Sequence, residues 1–198
     1  MFFTKTQMKI MKILCGEITK AHSIYQIARR LKIGYGITYT AAQGLLRHRL
    51  LKKDEHDLIG LNYKEHLQDL AYIESLRAEE FSKRHADIAL FAGKVIAQTG
   101  GFFILLVFGS YAKGKPRRGS DIDILMIIER AAGAEQQERF LQNIAEAYLK
   151  RAECRVIGLE SVREMLAKRD KLNVLNETLD NHIILFGAEE YYRLLRER

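Results

Sequence analysis

Two acidic side chains in an apolar stretch are the residues of this sequence best suited to metal chemistry. Asp121 and Asp123 are separated by a single isoleucine, and residues two apart in an extended strand point to the same face. Their carboxylates then lie roughly 7 Å apart and repel each other unless a cation lies between them. Because hard oxygen ligands of this kind suit Mg²⁺, we predict a Mg²⁺ site at Asp121 and Asp123.

A glycine-serine pair that can hold a phosphate precedes the two aspartates. Six apolar residues, Phe103 to Phe108, end at Gly109-Ser110, which predicts a buried strand that opens into a tight turn. Gly109 allows the backbone to approach a ligand closely, and Ser110 with the N–H groups that follow it can contact a phosphate. The predicted nucleotide site consists of Gly109, Ser110, Lys113 and Ser120.

The loop between this turn and the aspartates is basic. It contains Lys113, Lys115, Arg117 and Arg118. The loop either binds the phosphates of a nucleotide or is a mobile basic segment, and we favour phosphate binding.

The strand, the Gly-Ser turn and the Asp-x-Asp pair about ten residues later together resemble the signature of the nucleotidyltransferase fold of the DNA polymerase beta superfamily. The resemblance is strongest to the minimal nucleotidyltransferases of prokaryotes and covers residues from about 80 to 198. It implies an α/β (α+β) fold with a mixed sheet and flanking helices. It also implies that the turn holds a triphosphate, that Asp121 and Asp123 are catalytic metal ligands, and that a third carboxylate on a later strand activates an acceptor hydroxyl.

The third carboxylate is where the sequence departs from this family. The apolar pattern of the strand predicted over residues 154–159 puts Ile157 at the position of the third acid. Glu153 has the correct parity to share a face with Ile157, but it lies four residues away, roughly 13 Å along a strand. Either Glu153 serves in a shifted register or the site has only two acids. With two acids, metal and nucleotide binding would survive, but the acceptor hydroxyl would lose its base.

Positive charge is concentrated in the first third of the chain. The net charge is +7, and residues 1–62 hold eleven Lys or Arg and four Asp or Glu, whereas residues 63–198 hold twenty-one of each. This asymmetry suggests that the amino-terminal part contacts a polyanion. The alternative is a solvated basic surface without a partner.

The amino-terminal third resembles a winged helix-turn-helix domain. Its predicted elements are a helix from about residue 6 to 16, a helix over 24–31 capped by Ser23, a helix from Thr38 or Tyr39 to about Arg49, and a hairpin over 50–61. Such a domain places its third helix in the major groove of DNA and commonly acts as a dimer. A trihelical unit that contacts protein is the alternative. The predicted DNA contacts are Thr38, Thr40, Gln43, Arg47, Arg49, Lys52 and Lys53.

The predicted organisation is a winged helix-turn-helix domain at 1–62, a helical linker at 63–79 and a nucleotidyltransferase domain at 80–198. Our first hypothesis is a Mg²⁺-dependent transferase that moves a nucleoside monophosphate from an NTP, ATP above all, to an acceptor hydroxyl such as one on a protein. Similar minimal transferases act as antitoxins that modify an all-helical toxin partner, and a fused DNA-binding domain would allow autoregulation. The second hypothesis is a transcriptional regulator, a homodimer on double-stranded DNA, whose transferase domain senses a nucleotide or serves as a scaffold without catalysis.

The remaining composition indicates a cytoplasmic protein. Cys15 and Cys154 lie in apolar patterns, and neither they nor the six histidines have metal-ligand spacing. No apolar stretch is long enough to cross a bilayer. We therefore expect free thiols, a reducing compartment and no membrane contact.

Overall fold

The structure, a computed structural model, describes residues 3–117, 119–167 and 174–197. Arg118 of the predicted basic loop lies outside the described residues. No helix in the described part of the chain is long and apolar enough to span a membrane.

The amino-terminal part consists of three helices followed by a two-stranded hairpin. Capping boxes begin the first two helices, at Thr4 with Gln7 and at Ser23 with Gln26, so the cap predicted at Ser23 is confirmed. His22 forms an additional antiparallel bridge with Ile59. This order of elements is the one expected of a winged helix, although the assignment itself stays a prediction. The elements are α1 (Lys5–Cys15), α2 (Ile24–Leu31), α3 (Tyr35–Arg47), β1 (Leu51–Lys53) and β2 (Ile59–Leu61).

The rest of the chain forms a four-stranded mixed sheet flanked by helices, which confirms the predicted fold class. The strand order is β5-β4-β3-β6, with β4 parallel to β5 and β3 antiparallel to both β4 and β6. The strands are β3 (Phe103–Phe108), β4 (Ile122–Ile128), β5 (Ala152–Gly158) and β6 (His182–Phe186). The helices are α4 (Leu67–Ser82), α5 (Ala86–Gln98), α6 (Gly109–Ala112), α7 (Ala134–Tyr148), α8 (Leu159–Ala167), α9 (Val174–Asp180) and α10 (Ala188–Arg196).

Two buried clusters cover the two faces of this sheet. Helices α5 and α7 pack on one face, where Phe91 and Leu141 join Ile124 and Met126 of β4. The other face joins a cluster that runs without interruption from Leu125 through α4 and α10 into the core of the amino-terminal helices. Since one cluster crosses both proposed boundaries, the division at residues 62 and 79 stays a prediction.

A buried polar network fixes α4 against β6 and α10. The Glu74 carboxylate is fully buried; it accepts a hydrogen bond from Tyr192 Oη at 2.8 Å, pairs with Arg77, and lies 3.2 Å from Nε2 of His182. Arg77 also donates to the main-chain oxygen of His182 at 2.6 Å. Burial opposes ionisation of Glu74, but Arg77, His182 and Tyr192 outweigh it and hold the pKa of this carboxyl below its usual range. The first residue of β6 is therefore fixed by side chains of α4.

Replacement of Glu74 by alanine should destabilise the chain by about 3–5 kcal/mol, because it leaves Arg77 buried without its counter-charge. The free energy of unfolding in urea at neutral pH measures this loss. Glu79→Ala is the matched control, since Glu79 lies on the same helix in an exposed pair with Lys83, and it should change the stability little. Equal losses in the two variants would contradict a structural role for the network.

Candidate active site

The turn after β3 brings the main chain into close contact with the side chain of Asp123. Phe108, the last residue of β3, pairs with Asp123 of β4. Gly109 follows with φ +67°, and a Cβ at this position would lie 2.9 Å from Cγ of Asp123 and still closer to its Oδ2. Only glycine provides both this left-handed conformation and this close approach. The predicted Gly-Ser turn thus lies directly beside the second predicted aspartate.

The turn continues into one short helix and a loop fixed by main-chain hydrogen bonds. Lys113 N–H donates to Gly109 O and Lys115 N–H donates to Ser110 O, both at 3.1 Å. Ser110 is half-buried, whereas the Lys113 ammonium is exposed and lies 3.6 Å from Oε1 of Glu177. Ser120 closes the loop, since its hydroxyl accepts the N–H of Arg117 at 2.9 Å. Gly109, Ser110 and Lys113 therefore lie in one turn, whereas the Ser120 hydroxyl stabilises the end of the loop that precedes Asp121.

The two predicted metal ligands have different surroundings. Asp123 is partly buried, and burial together with the carboxylates of Glu153 and Glu177 raises its pKa above the usual range. Asp121 is exposed, and its Oδ1 forms an ion pair with Nε of Arg151 at 2.9 Å. Asp123 therefore lies in a region of excess negative charge, whereas Asp121 already has a cationic partner.

The register of β5 places a third carboxylate beside these aspartates. In the parallel pairing of β4 with β5, Asp123 is the partner of Glu153, and Ile157 is the partner of Ile127 near the far end of the strands. The placement of Ile157 at the third acidic position is therefore wrong. β5 begins at Ala152, so the first residues of both parallel strands lie at the same edge of the sheet. Neighbouring strands are about 4.8 Å apart, and paired residues face the same side.

The donor set fits Mg²⁺ in its chemistry but is not assembled as a metal site. Asp121, Asp123 and Glu153 supply the hard oxygen ligands that Mg²⁺ prefers. No group of three or more His, Cys, Asp or Glu is arranged to hold a metal ion within residues 3–117, 119–167 and 174–197. Glu153 pairs instead with Nε and Nη2 of Arg155, at 3.0 and 2.6 Å. A divalent cation would have to compete with Arg151 and Arg155 for these oxygens.

Two basic residues and one acid at this edge were not predicted as part of the site. Arg151 and Arg155 precede and follow the third acid on β5, and Glu177 lies on α9. Parity along β5 could have indicated Arg155, which lies two residues from Glu153. Arg151 and Glu177 carry no local signal, because their partners Asp121 and Lys113 are distant in sequence.

One of the residues predicted to contact DNA lies in the core. Thr38 is fully buried and its hydroxyl donates to the oxygen of Gly34 at 3.1 Å, so its assignment to the outer side of α3 is wrong. The helix begins at Tyr35 rather than at residue 38 or 39. Thr38 therefore joins Ala41, Ala42 and Leu45 on the buried face, at the spacing of one helical stripe.

The other predicted DNA contacts lie at or near the surface. Arg47, Arg49 and Lys52 are exposed, and Gln43 is half-buried. Thr40 is exposed, but its hydroxyl donates to the oxygen of Gly36. Lys53 is exposed and pairs with Asp57 at the tip of the hairpin, which offsets its charge. The exposed surface of α3 also carries apolar side chains that were not predicted there, namely Tyr35, Ile37 and Tyr39.

Replacement of Gly109 by alanine should cost more stability than the same change at Gly101. Both glycines have positive φ, and apart from its chain neighbours no atom of the described residues lies within 4 Å of a Cβ at Gly101. Both variants pay about 1–2 kcal/mol for the left-handed conformation. Gly109→Ala adds a clash with Asp123 and should lose about 1–3 kcal/mol more. Urea unfolding measures the difference, and equal losses would mean that the close approach is not required.

The comparisons with known proteins address the part of the chain that contains this site. The family model described as "Polymerase beta, Nucleotidyltransferase" matches residues 94–187, a range that contains the Gly-Ser turn and all three carboxylates. Neither the curated proteins nor the solved structures gave a match. Residues 94–187 thus match the polymerase beta nucleotidyltransferase family, which supports a nucleotidyltransferase domain here and a nucleotidyltransferase-type activity in general terms.

Proposed function

We propose that this chain is a Mg²⁺-dependent nucleotidyltransferase that moves a nucleoside monophosphate from an NTP, ATP above all, to an acceptor hydroxyl. The observation that carries the proposal is the meeting of three features at one edge of the sheet. Strand pairing brings Asp123 beside the Gly109 turn on one side and beside Glu153 on the other. The family match over the same residues supports this chemistry.

The turn and the loop bind the triphosphate in this proposal. The first N–H groups of α6 have no partner within the helix and can donate to phosphate oxygens. Lys113 and Lys115 add positive charge on the same loop. Ser120 contributes indirectly, because its hydrogen bond to the N–H of Arg117 holds the end of the loop next to Asp121.

The three carboxylates have two different roles in this proposal, metal binding and proton transfer. Asp121 and Asp123 would hold Mg²⁺, which offsets the charge of the triphosphate and lets the α-phosphate be attacked in line. Glu153 is the general base. The acceptor oxygen forms a bond to the α-phosphorus while the bond from that phosphorus to the bridging oxygen of the β-phosphate breaks. Pyrophosphate leaves with that oxygen, and the hydroxyl proton passes to the Glu153 carboxylate.

Two arginines balance the carboxylates in this scheme. Arg151 pairs with Asp121 and Arg155 pairs with Glu153. When the carboxylates turn to the metal and the acceptor, these guanidinium groups become free to contact phosphate oxygens, for which their fork geometry is well suited.

Glu153→Gln should separate binding from transfer. Calorimetric titration of each NTP with and without Mg²⁺ measures binding, and label transfer from the NTP that binds measures chemistry. The variant should retain Mg²⁺-dependent binding but transfer about 10²–10⁴-fold more slowly, because the base is lost. Glu160→Gln, which changes an exposed acid just beyond β5, should behave like the wild type.

The double variant Asp121→Ala/Asp123→Ala should lose Mg²⁺-dependent nucleotide binding. A wild-type chain that binds no NTP would contradict the proposed function. Binding without transfer in the wild type would favour the alternative in which this domain only senses a nucleotide.

A second function is favoured by the amino-terminal elements. We propose that α1 to α3 and the hairpin β1–β2 bind double-stranded DNA as a homodimer, which would make the chain an antitoxin-like autoregulator or, if catalysis is absent, a transcriptional regulator. Three exposed cations support this: Arg47 at the end of α3, Arg49 two residues after the helix, and Lys52 in the hairpin. An all-helical toxin encoded nearby would then be the protein acceptor. The buried free thiols Cys15 and Cys154 suit a cytoplasmic setting.

Arg47→Ala should weaken binding to a duplex selected by the wild-type chain by roughly tenfold, or about 1–3 kcal/mol if the side chain contacts a base. Fluorescence anisotropy with the selected duplex measures the affinity. Arg139→Ala is the control, since Arg139 is exposed on α7. If selection yields no bound duplex, the DNA-binding proposal fails.

A further inference from the structure

A cleft with an excess of positive charge lies between the amino-terminal helices and the loop after α6. It has a volume of about 920 Å³, which is the size of a site for a small molecule. Helix α1 and the end of α2 form one wall, and the end of α4, the loop after α6 and the start of β6 form the other. The described lining residues include eight Lys or Arg and only three Asp or Glu. This excess favours an anionic ligand.

The three acids of the cleft already have partners. Glu80 pairs with Lys12 at 2.6 Å, and Glu17 pairs with Arg30 at 2.7 Å. The third acid, Asp180, accepts two hydrogen bonds from the segment that follows α1, at 2.9 and 2.6 Å. The surplus of positive charge is therefore carried by the cations outside these pairs.

Helices α1 and α4 run antiparallel along the cleft. Lys12 of α1 contacts Glu80 of α4. Further along the chain, a Cβ at Gly16 would lie 2.8 Å from Nη2 of Arg77, which precedes Glu80 on α4. Residues before Lys12 on α1 therefore lie beside residues that follow Glu80. Because Glu74 offsets the charge of Arg77, the remaining cations lie toward the start of α1.

The start of α1 and the end of α4 bring three such cations into one region. Lys5 and Lys9 are four residues apart, which places them on one side of α1. Both are exposed, and neither forms a salt bridge with any described residue. Arg84 follows Glu80 by one helical turn, is exposed, and lines the same cleft. The charges of these three side chains are thus available to a ligand.

The loop after α6 adds further cations beside the end of α4. The rings of His85 and Tyr111 are in contact, with centroids 5.6 Å apart, so the end of α4 lies against α6. Lys113 and Lys115 follow on the loop, and both line the cleft. The Lys113 ammonium lies 3.6 Å from Glu177, whereas Lys115 forms no salt bridge with any described residue. Cations of three separate elements therefore converge on one end of the cleft.

We propose that this end of the cleft binds a compact small molecule that carries several phosphate groups. Cations that converge from three elements can surround such a polyanion. The acids Glu17, Glu80 and Asp180 line the rest of the cleft, so a longer chain of phosphates would meet negative charge there. Met8 and Ile13 are half-buried lining residues, and they offer an apolar surface to the organic part of the ligand.

The ligand also weakens NTP binding, a part of the inference that rests on the proposed function. The N–H groups of Lys113 and Lys115 donate to the oxygens of Gly109 and Ser110, so the loop that contacts the ligand is continuous with the turn that holds the triphosphate. A ligand that engages these lysine side chains withdraws them from the triphosphate, and the two sets of phosphates repel each other. Because coupling between two sites is reciprocal, NTP weakens binding of the ligand by the same factor.

Calorimetric titration with sodium tripolyphosphate in the absence of Mg²⁺ tests the binding site. Lys5→Glu/Lys9→Glu should weaken binding by at least about tenfold, because two contacts to phosphate are replaced by repulsion. Lys20→Glu/Lys94→Glu changes the net charge equally at exposed positions outside the cleft and should weaken binding by less than about twofold.

A second pair of variants compares two neighbouring residues at the end of α4. Arg84→Ala should weaken tripolyphosphate binding by roughly three- to tenfold, because a charged donor to phosphate is lost. Lys83→Ala removes the same charge one residue earlier and should leave the affinity unchanged. Lys83 is exposed, pairs with Glu79 and does not line the cleft.

Four results would overturn the binding proposal. One is the absence of tripolyphosphate binding to the wild type, and another is an equal loss of affinity in the cleft variants and their controls, which would indicate only long-range attraction. The third is displacement of tripolyphosphate by poly-glutamate at equal charge concentration, which would indicate a site for an acidic protein segment. The fourth is loss of Mg²⁺-dependent NTP binding together with tripolyphosphate binding in Lys5→Glu/Lys9→Glu, which would make the cleft a part of the NTP site.

The effect on NTP binding is measured by repeating the NTP titration with saturating tripolyphosphate at a constant concentration of free Mg²⁺. The wild type should bind NTP at least about fivefold more weakly. Lys5→Glu/Lys9→Glu should bind NTP as the wild type does and show little of this effect. An equal effect in the variant would mean direct competition at the NTP site and would overturn the coupling. A wild type that binds tripolyphosphate but no NTP would fail the proposed function and retain the cleft site.

Discussion

The antiparallel pairing of β3 with β4 determines where the groups of the candidate site lie. It places Phe108 opposite Asp123, so the chain must turn directly over an acidic side chain. A residue with a Cβ would collide with that carboxylate, and Gly109 avoids the collision with a left-handed conformation. The parallel pairing on the other side of β4 then adds Glu153 at the same level. Two ladders of main-chain hydrogen bonds thus fix the spacing of turn, aspartate and glutamate before any ligand binds.

This concentration of acids carries an electrostatic cost. Asp123 has a raised pKa because it is partly buried among carboxylates, so the folded chain binds a proton at this site more readily than the unfolded chain does. By linkage, Asp123 lowers the stability of the folded state at neutral pH. The penalty diminishes as the pH falls through the raised pKa and is absent below the ordinary value of about 3.9. A cation bound at this edge would relieve the same repulsion, and binding to the folded state alone would stabilise it.

The elements that depend on residues close together in sequence could be predicted from the sequence. The apolar run from Phe103, its end at Gly109 and the alternation around Asp123 predict β3, the turn and β4, because each depends on neighbours in sequence. Glu153 could not be assigned, since parity leaves the register of two strands open and only tertiary pairing selects it. The burial of Thr38 depends on where α3 begins: a start at Tyr35, and not at residue 38 or 39, places it in one helical stripe with Ala41, Ala42 and Leu45. The ion pair of Arg151 with Asp121 joins residues 30 positions apart and has no signature along the chain.

The shared core has a consequence for how the chain folds. The amino-terminal helices continue the buried cluster of the sheet, and Ile18 and Thr19 after α1 donate hydrogen bonds to Leu179 and Asp180 at the end of α9. A fragment that begins after residue 62 or 79 would therefore expose a contiguous apolar surface, which promotes aggregation. We therefore expect the two parts of the chain to unfold in one cooperative transition. Each part would then depend on the other for a covered core.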